Sequence, residues 1–349
     1  MKILILKPSS LGDVIHSIPV ARMLARQFPG AEIDWWLNQD LIPLLSGDPD
    51  LHQLIAFDRR RWATPFGWPH LLKTIRQLRA RQYDWILDLQ SLARSAALAW
   101  LVNADRTIGL DDRREGAPAA YDMAVARRTP STHAVDWYLD VLQAMGVPIR
   151  WDFDWMPQRD AVAASLRSRW FADGQQWVVF QPGARWLNKR WPSESFAQLA
   201  TLLLRGHPDR RIAILGGRSD APLAAPITAS DPQRCVNFCG ELSLPEMVEF
   251  LRMSRVMITN DTGPMHAAVA VGVPVIGLFG PTNPLRTGPY GQLAHCLQAT
   301  LPCIPCMKPT CRHVISLECL LQLAPAAVAH AVEERLKTRS PDHAYGIRG

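Results

Sequence analysis

The chain has 349 residues, enough for two domains of ordinary size, and its 48% apolar content excludes a disordered or low-complexity protein. Its formal charge of +6 suits an anionic partner, which composition alone leaves open among nucleic acid, an acidic membrane face and a phosphorylated substrate. The opening "MKILILKPSS" is too short in apolar residues for an export signal, and the longest apolar run, Ala267 to Phe279, is interrupted by Gly272 and Pro274. The seven cysteines are therefore expected as reduced thiols in the cytoplasm.

The chain opens with a strand pattern, "KILILK" (2–7). A turn, "PSSLGD", follows, and then a segment of helical spacing that runs to Gly30. Further strand patterns fall at 32–37, 54–57, 85–89 and 106–110, with helical or polar segments between them. The spacing loosens at "WDFDWMPQRD" (151–160), which reads as a connector. A second series then sets strands at 177–180, 212–217, 236–240, 256–259 and 275–280. Helices are expected over 195–205, 245–255 and 264–271, and a last amphipathic helix over 323–337. Strands alternating with helices predict an α/β protein with parallel sheets, and the two series predict two Rossmann-like halves with a ligand cleft. The expected domains are 1–165, 175–325 and a C-terminal helix and tail, 326–349. Neither "GxGxxG" nor "GxxxxGK[ST]" is present, which argues against a nicotinamide or flavin enzyme and a P-loop NTPase.

Chemistry concentrates where strands end. In "TNDTGPMH" (259–266), Thr262 and Gly263 lie at the carboxyl end of a strand, and Pro264 suits the first turn of a helix. A helix N-terminus with a close-approaching glycine suits phosphate, although Asp261 or Thr262 acting only as a cap explains the same residues. The loop "QPGARWLNKRWP" (181–192) adds Lys189 and Arg190 after another strand, either for a pyrophosphate or as a solvated basic turn. A third loop, "GGRSD" (216–220), brings Asp220 to the same end of the sheet, where a ribose or base would lie. In the first half, Asp13 follows strand one and reads as a general base or as a helix cap. Of the clustered basic residues, Arg60, Arg61 and Arg114 follow strands and suit an anionic acceptor. Finally, Cys303, Cys306, Cys311 and Cys319 have the spacing C-x₂-C-x₄-C-x₇-C, which fits a structural zinc clip or a metal-free thiol-rich loop.

Taken together, "KPSSLGDVIHSIP", "LDLQSLARSAALA", "IGLDDRREGAP", "HAVDWYL", "NKRWP" and "NDTGPMHAAVAVGVPVIGLFGPTNP" resemble glycosyltransferase family 9, the bacterial lipopolysaccharide heptosyltransferases, over nearly the whole chain. The first four motifs are most similar to the heptosyltransferase I branch. The resemblance implies a GT-B fold, two Rossmann-like domains facing each other across a cleft. It also implies an inverting, metal-independent transfer from ADP-heptose to the Kdo inner core of lipid A, at the cytoplasmic face of the inner membrane and with no nucleic-acid partner. By motif position Asp13 would be the base, while Lys189, Asp261, Thr262, Gly263 and His266 would hold the donor. Ser10, Gly12, Arg60, Arg61 and Arg114 would meet the acceptor. Where the heptosyltransferase I pattern has hydroxyl residues in the first donor loop, this chain has Ala184-Arg185, so Arg185 is expected to take over phosphate contacts. The alternatives are a family 9 transferase with another donor or acceptor, a sugar-nucleotide-binding protein without catalysis, and an epimerase of similar shape.

Overall fold

The computed structural model describes residues 1–62, 64–171 and 174–337, so the end of the expected tail, 338–349, lies outside the described residues. The chain divides into two units, Met1–Pro157 and the residues from Gln158 onward. The division falls inside the stretch 151–160, and helix Asp160–Trp170 belongs to the second unit.

The first unit is built on β1 (Lys2–Leu6), β2 (Glu32–Asn38), β3 (Gln53–Phe57), β4 (Trp85–Asp88), β5 (Arg106–Leu110) and β6 (Met123–Val125). They form one sheet in the order β3-β2-β1-β4-β5-β6, every pair parallel. Ile3, Leu4, Ile5 and Leu6 are all fully buried, because both faces of the sheet are covered, and this is why β1 reads as a continuous apolar run. Leu4, Leu6, Trp36, Phe57, Ile86 and Leu98 fill a core shared with helices Trp68–Ala80 and Ala93–Val102. Helix Leu11–Gln27 packs against helix Ala134–Ala144.

One buried charge organises this unit. Arg22, on helix Leu11–Gln27, meets both oxygens of Asp48 at 2.6 Å and Asp50 at 2.7 Å. Its guanidinium also donates to the carbonyls of Asp154 (3.1 Å) and Trp155 (3.0 Å), which fastens the connecting stretch onto the first unit. Burial opposes the charge, but the Asp48 and Asp50 carboxylates outweigh it and hold Arg22 above the ordinary arginine value.

The second unit repeats the plan with β7 (Gln176–Gln181), β8 (Arg210–Ile214), β9 (Cys235–Asn237), β10 (Val256–Asn260), β11 (Val275–Phe279) and β12 (Cys296–Gln298). The order is β12-β11-β10-β7-β8-β9, again all parallel. Counted within each unit, both sheets run 3-2-1-4-5-6, the Rossmann order, whose ligand crevice opens between the first and fourth strands at their carboxyl ends. That crevice lies between β1 and β4 in one unit and between β7 and β10 in the other. Helices Ser193–Leu204, Leu244–Met253 and Gly263–Ala270 begin one or two residues earlier than spacing predicts. The edge strands β6 and β12 have three residues each, none of them buried, and neither is among the strands expected from sequence; β9, equally short but starting on the buried Cys235, overlaps the expected 236–240. Among the described residues no helix is long and apolar enough to cross a membrane.

Candidate active site

In the first unit the crevice is lined by the turn after β1 and the turn after β4. Asp13 is the third residue of helix Leu11–Gln27, and its Oδ2 accepts the backbone N–H of Ser10 at 3.0 Å and the Ser10 hydroxyl at 2.8 Å. The capping geometry is therefore real, and it fixes the carboxylate at the mouth of the turn, partly exposed, behind the buried Gly12. Beneath it lies Lys7, 5% exposed, whose Nζ donates to the Leu89 carbonyl at 2.8 Å and stands 5.0 Å from the centre of the Tyr138 ring. Burial pulls the Lys7 ammonium down, but Tyr138, Asp13 and Asp88 outweigh it and hold Lys7 above the ordinary lysine value. A buried cation thus sits within the field of Asp13.

The turn after β4 carries a carboxyl group that the sequence reading overlooks. Asp88 is fully buried, accepts N–H bonds from Gln90 and Ser91 at 3.0 Å each, and takes the Tyr121 hydroxyl at 2.7 Å. Burial pushes its carboxyl above the ordinary range despite these hydrogen bonds. Gly109 makes room for the pair, since a Cβ there would lie 2.4 Å from the Tyr121 ring. The only available signal was "LDLQS" itself, a lone acid at the end of an apolar strand.

The expected acceptor cations fall in different places. Arg60 and Arg61 are exposed on the short helix after the edge strand β3, their backbone N–H groups capped by Asp58 at 3.1 and 3.0 Å. Arg114 follows β5 and is clasped by Asp112 at 2.6 Å. That carboxylate is the main cause holding Arg114 above the ordinary arginine value, and Asp13 adds to it. The structure therefore brings Asp13, Lys7 and Arg114 into one electrostatic neighbourhood, while Arg60 and Arg61 stand at the sheet's edge.

In the second unit, the corner after β10 organises the loop after β7. Asn260 Oδ1 accepts the Trp191 N–H at 3.1 Å, and Asn260 Nδ2 donates to the Pro182 carbonyl at 2.8 Å, so one buried side chain holds both ends of the loop. Asp261 Oδ2 then receives Lys189 Nζ at 2.6 Å and the Thr282 hydroxyl at 2.8 Å. Lys189 also stands 4.7 Å from the centre of the Trp186 ring. Thr262 is the N-cap of helix Gly263–Ala270, yet its side chain makes no capping bond, and Thr262 and Gly263 are both partly exposed. His266 is buried within the same helix. Arg185 is exposed on the loop after β7.

Asp220 is a brace between loops. Its Oδ2 accepts the Gly217 N–H at 3.1 Å, its Oδ1 lies 3.8 Å from Arg190, and a Cβ on Gly183 would lie 2.5 Å from its carboxyl carbon. A side chain at 183 would therefore push this carboxylate off its contacts with Gly217 and Arg190.

Cys303, Cys306, Cys311 and Cys319 line one pocket of about 150 Å³, together with His313 and Glu318. Among the described residues no group of three or more His, Cys, Asp or Glu side chains is close enough to hold a metal ion in this arrangement. The loop is sewn onto the loops that follow β7 and β11. Asn188 Nδ2 donates to the Lys308 carbonyl at 2.8 Å, and the Met307 N–H donates to the Pro281 carbonyl at 2.8 Å.

The sequence model of glycosyltransferase family 9 (heptosyltransferase) matches residues 71–315. Lipopolysaccharide heptosyltransferase 1 of Pseudomonas aeruginosa is 29% identical, over 96% of this chain and 98% of that protein. Lipopolysaccharide heptosyltransferase 1 of Escherichia coli K12 is 27% identical, over 84% of this chain and 92% of that protein. The solved structure of the E. coli heptosyltransferase WaaC with ADP superposes at a TM-score of 0.77 and 25% identity, covering 96% of this chain and all of that one.

Proposed function

The chain belongs to glycosyltransferase family 9, and from that premise we propose that it moves heptose from ADP-L-glycero-D-manno-heptose to the Kdo inner core of lipopolysaccharide, with inversion, as heptosyltransferase I does. One observation carries the reading. The Lys189–Asp261–Thr282 cluster stands at the β7/β10 crevice beside the N-terminus of helix Gly263–Ala270, a site suited to a departing diphosphate. The names of the P. aeruginosa and E. coli relatives, and the ADP in the WaaC structure, support the choice of donor.

In the proposed step the acceptor hydroxyl attacks the anomeric carbon while the bond to the ADP oxygen breaks. Asp13 takes the hydroxyl proton, a role worth about 10²–10⁴ in rate. The electron pair leaves with ADP, whose growing negative charge is met by Lys189, by Arg185 and by the N–H groups at Thr262 and Gly263. Loss of one such preorganised donor costs about 2.7–4 kcal/mol of barrier. Asp261 and Thr282 aim Lys189, Asn260 holds its loop, and Asp220 braces that loop against 216–220. His266 supports the helix from within. Ser10 and Gly12 shape the acceptor side, with Arg60, Arg61 and Arg114 meeting the acidic groups of the acceptor. Because protein groups meet the leaving charge, we write the step without a metal. The reading puts the enzyme at the cytoplasmic face of the inner membrane, where a lipid-linked acceptor would be found.

An ADP-release assay tests this. ADP-heptose is compared with other ADP- and UDP-sugars, each with and without a Kdo–lipid A acceptor. Release only when both proposed substrates are present supports the reading. Release with another sugar nucleotide assigns a different family 9 transfer, and donor binding with no turnover under any pairing sinks the catalytic reading.

A further inference from the structure

The face of the first unit formed by helices Trp68–Ala80 and Ala93–Val102 has a composition the transfer reaction does not use. Phe66 is 92% exposed, Trp68 59% and Trp100 70%, with Leu72 and Leu101 also exposed beside them. Aromatic side chains of this size normally bury most of their area, and several exposed together mark a contact surface. Phe66 is held outward by a built turn. Gly67 is buried, a Cβ on it would lie 1.9 Å from the Arg61 carbonyl, and its N–H donates to Thr64 at 3.0 Å. On the following helix Thr74 and Leu78 face the core, which leaves Trp68, Leu72, Lys73 and Arg76 outward. Arg79 Nη1 donates to the Leu101 carbonyl at 3.5 Å, so the end of the second helix, with Trp100, lies against the last turn of the first.

Charge selects the partner. Between Asp58 and Asp84 the chain has Lys or Arg at positions 59–61, 73, 76, 79 and 81, and no Asp or Glu; helix Ala93–Val102 adds Arg94 and no acid. Arg81 is paired with Glu32 and Asp34, and Glu115 accepts the Ala93 N–H at the start of the second helix, so the exposed cations beside the aromatic rings are Lys73, Arg76 and Arg79. Exposed Trp and Phe beside such cations match the headgroup region of an anionic bilayer, where aromatic rings settle at the interface and each basic side chain adds attraction. Helix Trp68–Ala80 has 13 residues, about 20 Å in length, and is too short to span a bilayer.

We propose that this face docks the protein on an anionic phospholipid surface, with Phe66, Trp68, Leu72 and Trp100 in the headgroup layer and Lys73 and Arg76 on lipid phosphates. Its purpose rests on the proposed function, in which the acceptor is lipid-linked, but docking itself is measured without substrate. The full chain is sedimented with vesicles of phosphatidylethanolamine and phosphatidylglycerol, and separately with vesicles of phosphatidylcholine alone. Binding is expected to the first and not to the second. Trp68→Ser with Trp100→Ser should weaken binding by at least about tenfold, and Lys73→Ala with Arg76→Ala by about fivefold per side chain. Both variants should melt as the parent does and keep its turnover on a water-soluble, deacylated acceptor. Parent protein that ignores anionic vesicles, or variants that bind them as well as the parent, would overturn the proposal. So would a concentration-dependent dimer abolished by the Trp68 and Trp100 changes, which assigns the face to a second copy. Vesicle binding with no transfer in any form leaves the docking face standing and removes the transferase reading.

Discussion

Lys189 and Asp261, seventy-two positions apart in sequence, form a 2.6 Å ion pair at the crevice between β7 and β10. The same carboxylate oxygen takes the Thr282 hydroxyl at 2.8 Å, so three segments converge on one atom. The ammonium is therefore aimed before a donor arrives. This is the preorganisation that stabilising a leaving group requires.

Lys189→Ala should lower kcat/KM for the sugar nucleotide by about 10²–10³. Lys189→Arg should recover part of that loss, since the charge is kept and the aim is not. Asp261→Asn should cost less than Lys189→Ala, because Asn still accepts from Lys189 or Thr282. Steady-state kinetics with ADP titration calorimetry separates the effects. Equal losses in Lys189→Ala and Lys189→Arg would show that shape, not charge, matters at this position.

For Asp13, Asn is the informative replacement. It keeps an oxygen able to accept from Ser10, so the helix start should lose no more than about 1 kcal/mol. Turnover should nonetheless fall by about 10²–10⁴ while donor affinity stays unchanged. Near-normal turnover in Asp13→Asn would reduce the residue to a helix cap and move the base elsewhere.

Asp88 predicts a pH dependence of stability. Burial raises the folded carboxyl above the ordinary aspartate value of 3.8, so the folded state binds the proton more tightly than the unfolded chain does. The contribution is fully present below the unfolded value and is lost as pH rises through the raised folded one. Urea midpoints should therefore decline over that window, and Asp88→Asn, which keeps an acceptor for Tyr121, should flatten the decline. A parent and variant with parallel pH profiles would exclude Asp88 as the source.

Arg22→Ala should destabilise the first unit by about 3–5 kcal/mol, because it strands the buried Asp48 carboxylate and frees the carbonyls of Asp154 and Trp155. Arg22→Lys should restore only part, since one ammonium cannot meet both oxygens of Asp48 in a fork. Denaturant unfolding reads both variants.

Thiol reactivity checks the cysteine pocket. Burial pushes Cys235 up to about 11, and Cys239 and Cys296 up to about 12, so these three should resist alkylation at pH 8 until the chain unfolds. Cys303 is exposed, and backbone N–H groups of Leu317 and His313 hold the Cys311 thiol below the ordinary value, so these two should react before the buried three. A structural zinc would reverse this: Cys303 would be shielded until a chelator is added, and tag-free protein would carry about one zinc per chain.

Much of the fold is legible before any coordinates. The strands of "KILILK", "WVVF" and "VMIT" are short apolar runs bounded by turn residues, and burial on both faces is what writes them that way. Gly12-Asp13 and Thr262-Gly263 advertise their corners because turn and cap chemistry is local, set by residues three or four positions apart. The edge strands β6 and β12 have no buried residue, so no apolar run marks them in the sequence. Asp88 is equally silent, since its partner Tyr121 is thirty-three residues away and its meaning depends on burial.

The sequence by itself determined the alternation of strand and helix, the two-part organisation, the loops that carry charge and the family, since each of these rests on short-range patterns. Tertiary structure alone decided what those loops do to each other. Strand order sets β1 beside β4 and β7 beside β10, and only that order lets Asn260 hold both ends of the loop after β7 and Asp261 take Lys189. It also decided which side of helix Trp68–Ala80 meets the core, leaving Trp68 in the open beside its cations. The reason is that hydrogen bonds and burial between distant segments depend on how the sheet is threaded, and no local run of residues encodes that threading.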